Sequence, residues 1–156
     1  MKELQGWASV ELDVPVKACF ELLASIESYP DWFEVVSAVE ILENERNGTP
    51  GLARAELYVP QSPFGTHFEL LVEVRTERTG AVTLTRVPDG VSDVDRLELA
   101  WRMQSGGSTR LEFEFDAAAS FVPSFVPVGG AGDAIARAAI EAARAALGAG
   151  LPGGHP

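Results

Sequence analysis

The sequence predicts an α+β domain in which a curved antiparallel sheet of six or seven strands closes around one long C-terminal helix. Segments of two-residue apolar alternation recur along most of the chain. Two short helical segments follow the first of them, and no other helix is indicated until the end. That last helix is rich in alanine and carries a single narrow polar stripe.

Trp7 to Val14 alternates Ala8, Val10 and Leu12 against Ser9, Glu11 and Asp13, and reads as the first strand. Pro15 suits a first helical turn, and Ala18, Phe20, Leu22 and Leu23 then give a short apolar helix. Glu27 to Phe33 reads as a second short helix or tight turn. Val35 to Glu43 is the next strand, closed by Asn47-Gly48, a strong hairpin signal. Leu52 to Val59 follows and ends at Pro60. Thr66 to Thr76 sets Phe68, Leu70, Val72 and Val74 against His67, Glu69, Glu73 and Arg75. Ala81 to Val87 is short and stops at Pro88-Asp89-Gly90. Val94 to Met103 aligns Leu97, Leu99, Trp101 and Met103, and Thr109 to Ala117 turns Leu111, Phe113 and Phe115 inward. One wet face per strand suits an antiparallel sheet covered on one side. A helix over about Asp133 to Leu147 completes the series, with Asp133 as N-cap and Arg137, Glu141 and Arg144 as its wet stripe. On this reading residues 1–148 are one domain and 149–156 a disordered tail.

Bulk properties agree with a globular chain. Of 156 residues 46% are apolar and 22% charged, ordinary values for one folded domain. Twelve basic against 23 acidic side chains leave a net charge of −11, which repels phosphate backbones and argues against nucleic-acid binding. Arginine outnumbers lysine heavily, a bias that suits a bacterium with a GC-rich genome. No apolar run approaches the roughly 18 residues that cross a bilayer. Met1 to Gln5 lack the blocks of a secretion signal. A cytoplasmic protein without a stable membrane anchor, monomer or homodimer, is the expectation. The lone Cys19 reads as a small buried hydrophobe.

The bulky inward residues of the sheet face a helix whose inward residues are mostly alanine. Interiors pack to crystal-like density, so this mismatch either draws the layers together or leaves a void. A curved sheet against a straight helix favours the void. The expected lining is Phe68 and Leu70, then Leu99, Trp101 and Met103, then Phe113 and Phe115, with Ile135 from the helix. Trp32 and Phe33 serve core and pocket together. The expected partner is an apolar small molecule.

Little chemistry is indicated besides. Two histidines, His67 and His155, and one thiol do not make a metal site, and the glycine-rich segments do not follow a strand as nucleotide loops do. No cofactor and no metal are expected. Arg86 shares strand phase with Val82 and Leu84; if that face is inward, a desolvated arginine can stabilise an enolate or oxyanion. In the opposite phase Thr83, Thr85 and Val87 face inward and Arg86 faces water. His67 falls on the polar face, and Tyr58 and Arg54 are weaker candidates. Phe64 and the run Phe121 to Val128 read as apolar entrance loops.

Two stretches carry a family resemblance. The first is Trp7 to Leu23 with Ile26-Glu-Ser-Tyr-Pro-Asp-Trp-Phe-Glu-Val-Val, where Tyr29-Pro30-x-Trp32 precedes Val36-x-x-Val39-x-Ile41-Leu42. The second runs from Gly107-Ser-Thr-Arg-Leu-Glu-Phe-Glu-Phe through Val122-Pro123 and Val126-Pro127. They resemble the polyketide cyclase/dehydrase and lipid-transport family of the START/SRPBCC superfamily, over about residues 5 to 148. The resemblance implies the helix-grip fold of plant pollen allergens. The superfamily holds aromatases and cyclases, lipid carriers, quinone-binding chaperones and regulatory proteins, so fold alone leaves function open. Three readings stand: a binder of a polyketide-like, isoprenoid or lipid molecule, with or without cyclase or dehydratase activity; a polyketide aromatase/cyclase using Arg86; and a protein-interaction module with a collapsed interior.

Overall fold

The computed structural model describes residues 2–45, 50–59, 66–78, 80–106, 108–119 and 131–148. The order is β1 (Lys2–Leu12), α1 (Val16–Ala24), a 3-10 turn (Ile26–Ser28), α2 (Tyr29–Trp32), β2 (Val36–Asn44), β3 (Pro50–Val59), β4 (Thr66–Glu77), β5 (Ala81–Arg86), β6 (Arg96–Ser105), β7 (Thr109–Ala119) and α3 (Ala131–Gly148). The strands form one seven-stranded sheet in the order β1-β7-β6-β5-β4-β3-β2, with every described pairing antiparallel. This is the helix-grip arrangement. The Asn47-Gly48 turn, Phe64, the run 121–128 and the tail 149–156 lie outside the described residues.

β1 starts five residues earlier than alternation around Trp7 predicts. Leu4, Gly6 and Ala8 all face inward, and Gly6 breaks the apolar pattern for a packing reason. A Cβ at Gly6 would collide with the carbonyl of Gly132, so two glycines bring the first turn of α3 against β1. Asp133 is therefore not the N-cap, because the helix begins at Ala131. Its Oδ1 accepts the Trp7 amide of edge strand β1 at 3.3 Å, pairing a backbone donor that no neighbouring strand can satisfy.

Here α3 meets β1 in close contact, where a void between helix and sheet was expected. Ala136, Ala139 and Ala143 are completely buried. The helix is also wet more broadly than three charged residues suggest, since Ala134, Ala138 and Ala145 are exposed beside Arg137, Glu141 and Arg144. Trp101 and Phe113 pack at 4.4 Å between ring centroids, and Trp32 reaches Trp101 at 6.2 Å.

Candidate functional site

An apolar recess lies among β2 to β6, with no described residue of α3 in its walls. Ala53, Ala55 and Leu57 of β3 face Leu70 and Val72 of β4, Leu84 of β5, and Leu97 and Leu99 of β6. Register explains the grouping: Ala53 sits opposite Val72, Ala55 opposite Leu70, and Leu84 opposite Leu99. Val36 and Val39 of β2, with Ile26 and Tyr29 from the segment after α1, complete the walls. The strand alanines leave space where large residues would close it. Register shifts along β2 at Val36/Ala38 and at Ile41/Glu43 mark an irregular edge beside it.

The result is a slit. It encloses about 470 Å³ of atom-free space, partly open to solvent, of which about 30 Å³ admits the centre of a water molecule. One hydroxyl, that of Tyr29, belongs to its lining side chains, and it donates to the Leu23 carbonyl at 2.5 Å. Burial pushes the Tyr29 phenol far above its ordinary value, so it stays protonated and committed to that bond. Its oxygen also lies beside the Trp101 indole, whose N–H finds no other acceptor.

Of the residues expected to line a pocket, Leu70 and Leu99 border the slit. Trp101, Met103, Phe113 and Phe115 are buried in the core away from it. Trp32 and Phe33 stack on each other at 5.7 Å as a wedge between α2 and the sheet, and Ile135 packs half-buried on the core. The Phe68 backbone pairs with Leu57, and its side chain lies outside the described residues. Sequence reasoning missed Ala53, Ala55 and Leu57, although small inward residues on a curving strand were a usable signal. It also missed Val36, Val39 and Tyr29, which required the path of the chain after α1.

Arg86 takes the face of Val82 and Leu84 and sits opposite Val72. Its guanidinium, however, is already engaged. Nη1 and Nη2 donate to Asp93 Oδ1 and Oδ2 at 3.0 and 2.6 Å, and Nη1 also donates to the Asp95 carbonyl at 3.0 Å. Both side chains of the pair are 14% exposed. The pair neutralises the cation expected to meet an oxyanion, and the Nε donor is buried without a partner. On the outer face His67 Nδ1 contacts Glu56 Oε1 at 2.9 Å and Ser37 Oγ donates to the same oxygen at 2.8 Å. Arg54 is paired with Glu40 and Glu69 there, and Tyr58 lies beside His67. None of these four borders the slit. Among the described residues no three His, Cys, Asp or Glu side chains converge as metal ligands. No helix among them is long and apolar enough to cross a membrane.

Residues 12–144 match the family model described as polyketide cyclase/dehydrase and lipid transport. The chain belongs to that family. Solved structures similar to this polyketide cyclase/dehydrase and lipid-transport member share its fold at low identity. A START superfamily protein from Mycobacterium smegmatis is 18% identical, covers 92% of this chain and 93% of its own, and superposes with a TM-score of 0.67. The Zhui aromatase/cyclase from a Streptomyces species is 16% identical over 95% of both chains, with a TM-score of 0.62. Major latex-like protein 151 from Panax ginseng is 10% identical over 92% of this chain and 96% of that one, at 0.64. No curated protein sequence matches the chain. The family's fold is a hydrophobic-ligand-binding one.

Proposed function

We propose that this protein binds a hydrocarbon-rich small molecule, an acyl or isoprenoid chain, in the slit between β2–β6 and the Ile26–Tyr29 segment. The observation that carries this is the lining among the described residues: aliphatic side chains from five strands, with a single hydroxyl that is already bonded. Such walls select against oxygenated guests. Each carbonyl of a poly-ketone buried there without a donor would cost roughly 1–3 kcal/mol, whereas methylenes gain about 0.8 kcal/mol each on burial. An aromatase/cyclase role would further require Arg86 to leave Asp93 before it could meet an enolate.

Titration with the neutral fluorophore N-phenyl-1-naphthylamine tests the proposal. The expected outcome is enhanced emission, displaced by a C16 acyl chain and poorly by a polyhydroxylated anthraquinone. The Ala53→Phe variant, which puts a ring into the slit, abolishes the enhancement while its circular dichroism stays native. Equal binding by that variant, or preferential displacement by the anthraquinone, refutes the assignment. The narrowness of the slit favours one other reading, an interaction module with a collapsed interior. Silence of the wild-type protein towards the fluorophore and the acyl chain alike would establish that reading instead.

A further inference from the structure

β5 and β6 pair from Ala81↔Arg102 to Thr85↔Glu98 and then part. Beyond that point β5 stays with β4, through Val72↔Arg86 and the Val87 amide donating to the Leu71 carbonyl at 2.8 Å. β6 stays with β7 from Arg96↔Ala118 onward. The sheet therefore has a seam that opens at one end. Leu84, Leu97 and Leu99, which flank it, are walls of the slit.

In the connection across the open end, residues 87–95, the Asp93 carboxylate is a point where several bonds meet. Asp93 accepts two bonds from Arg86, one from the Asp89 amide at 2.8 Å and one from the Asp95 amide at 3.1 Å. Packing contributes little to the fastening. Val91 is fully exposed and Val94 is 65% exposed, so these two apolar side chains of the strap do not rest on the body of the protein. The ion pair holding it is largely desolvated, with a buried Nε donor left unpaired, and such a pair contributes little net stability while still fixing geometry.

We propose that the β5–β6 seam is the doorway of the slit and that the Arg86–Asp93 pair is its bolt, a reading that rests on the slit being the binding site. A bolt changes the barrier to passage and leaves the walls alone. Stopped-flow mixing with N-phenyl-1-naphthylamine reads that difference. In Asp93→Asn, which keeps an acceptor oxygen for one of the two loop amides, and in Asp93→Ala, association and dissociation rates rise together by about tenfold or more. The dissociation constant stays within about twofold in both variants. Amide hydrogen exchange supplies a readout that needs no guest: residues 87–95 exchange faster in Asp93→Asn, while β3 and β4 are unchanged. Exchange that rises while both rate constants stay at wild-type values overturns the doorway and leaves the binding site standing. Fluorophore binding that is absent from the wild-type protein removes the binding site, and the doorway with it. A dissociation constant raised by faster dissociation alone also overturns the bolt, since that would place Arg86 and Asp93 among the contacts to the guest.

Discussion

Replacing Ala139 by leucine asks directly whether α3 lies tight on the sheet. Ala139 is completely buried and sits between Ala136 and Ala143, which are equally buried. Three further carbon atoms crowd this contact, because Gly6 and Gly132 fix the close approach of the helix. Overpacking of this kind costs about 1–3 kcal/mol. For a domain of this size a loss of about 2 kcal/mol lowers Tm by about 4–8 °C. The same substitution at Ala53, also completely buried but bordering the slit, should cost under about 1 kcal/mol, because its carbons enter existing space. Thermal or urea unfolding of the two variants, followed by circular dichroism, makes the comparison. Ala139→Leu as stable as wild type would mean a void beneath the helix after all. A larger loss for Ala53→Leu than for Ala139→Leu would mean that the space has been assigned to the wrong half of the sheet.

Tyr29→Phe removes the donor to the Leu23 carbonyl and should cost about 1–2 kcal/mol in urea unfolding. Thr109→Val, which takes the buried Thr109 hydroxyl from the part-buried Val14 carbonyl, should cost a similar amount, about 1–2 kcal/mol. Arg86, aided by the Asp89 amide, holds the Asp93 carboxyl down at about 2, below its ordinary 3.8. The folded state thus binds this proton less readily than the unfolded chain. The pair's contribution is complete above pH 3.8 and is lost as pH falls through about 2. Acid titration followed by exchange at residues 87–95 should show loosening in that window, and Asp93→Asn should abolish the dependence. Cys19 is fully buried, and burial pushes its thiol up, so it should resist a disulfide reagent in the native protein and react at the rate of unfolding.

The fold was legible because each strand carries its own record. Alternation in β4, β6 and β7 fell within two residues of the observed ends, since inward and outward positions differ in polarity at nearly every step. β1 was shortened where Gly6 replaces a core side chain with a close backbone contact. The site was harder to read because it depends on where α3 lands, and that is set by Gly6 meeting Gly132 across the whole chain. Alanines on a helix are consistent with either a gap or an interlock, and only the opposing aromatic residues decide between them. Alanines on β3 were the better signal, since a curving sheet has no second layer of rings to fill the space they leave. Arg86 shows the same limit on a shorter scale. Its inward phase was one of two alternatives in the strand pattern, but its partner, Asp93, comes from a loop conformation that alternation does not encode.

The slit's narrowness and its dryness have one physical origin. A permanently open apolar chamber of about 300 Å³, the lower end for small-molecule sites, would cost about 7 kcal/mol at roughly 24 cal/mol per Å³ of cavity. That is comparable with the whole stability of a domain, about 5–15 kcal/mol. Polar walls would lower the cost by admitting water, but Ala53, Leu57, Leu70, Leu84 and Leu99 give water nothing to bond. Walls of this composition therefore stand close together, and a guest must part them further to be fully enclosed. Only a guest that is itself hydrocarbon does so without leaving a polar group unpaired. The chemistry that keeps the slit narrow is thus the chemistry that selects what can part it.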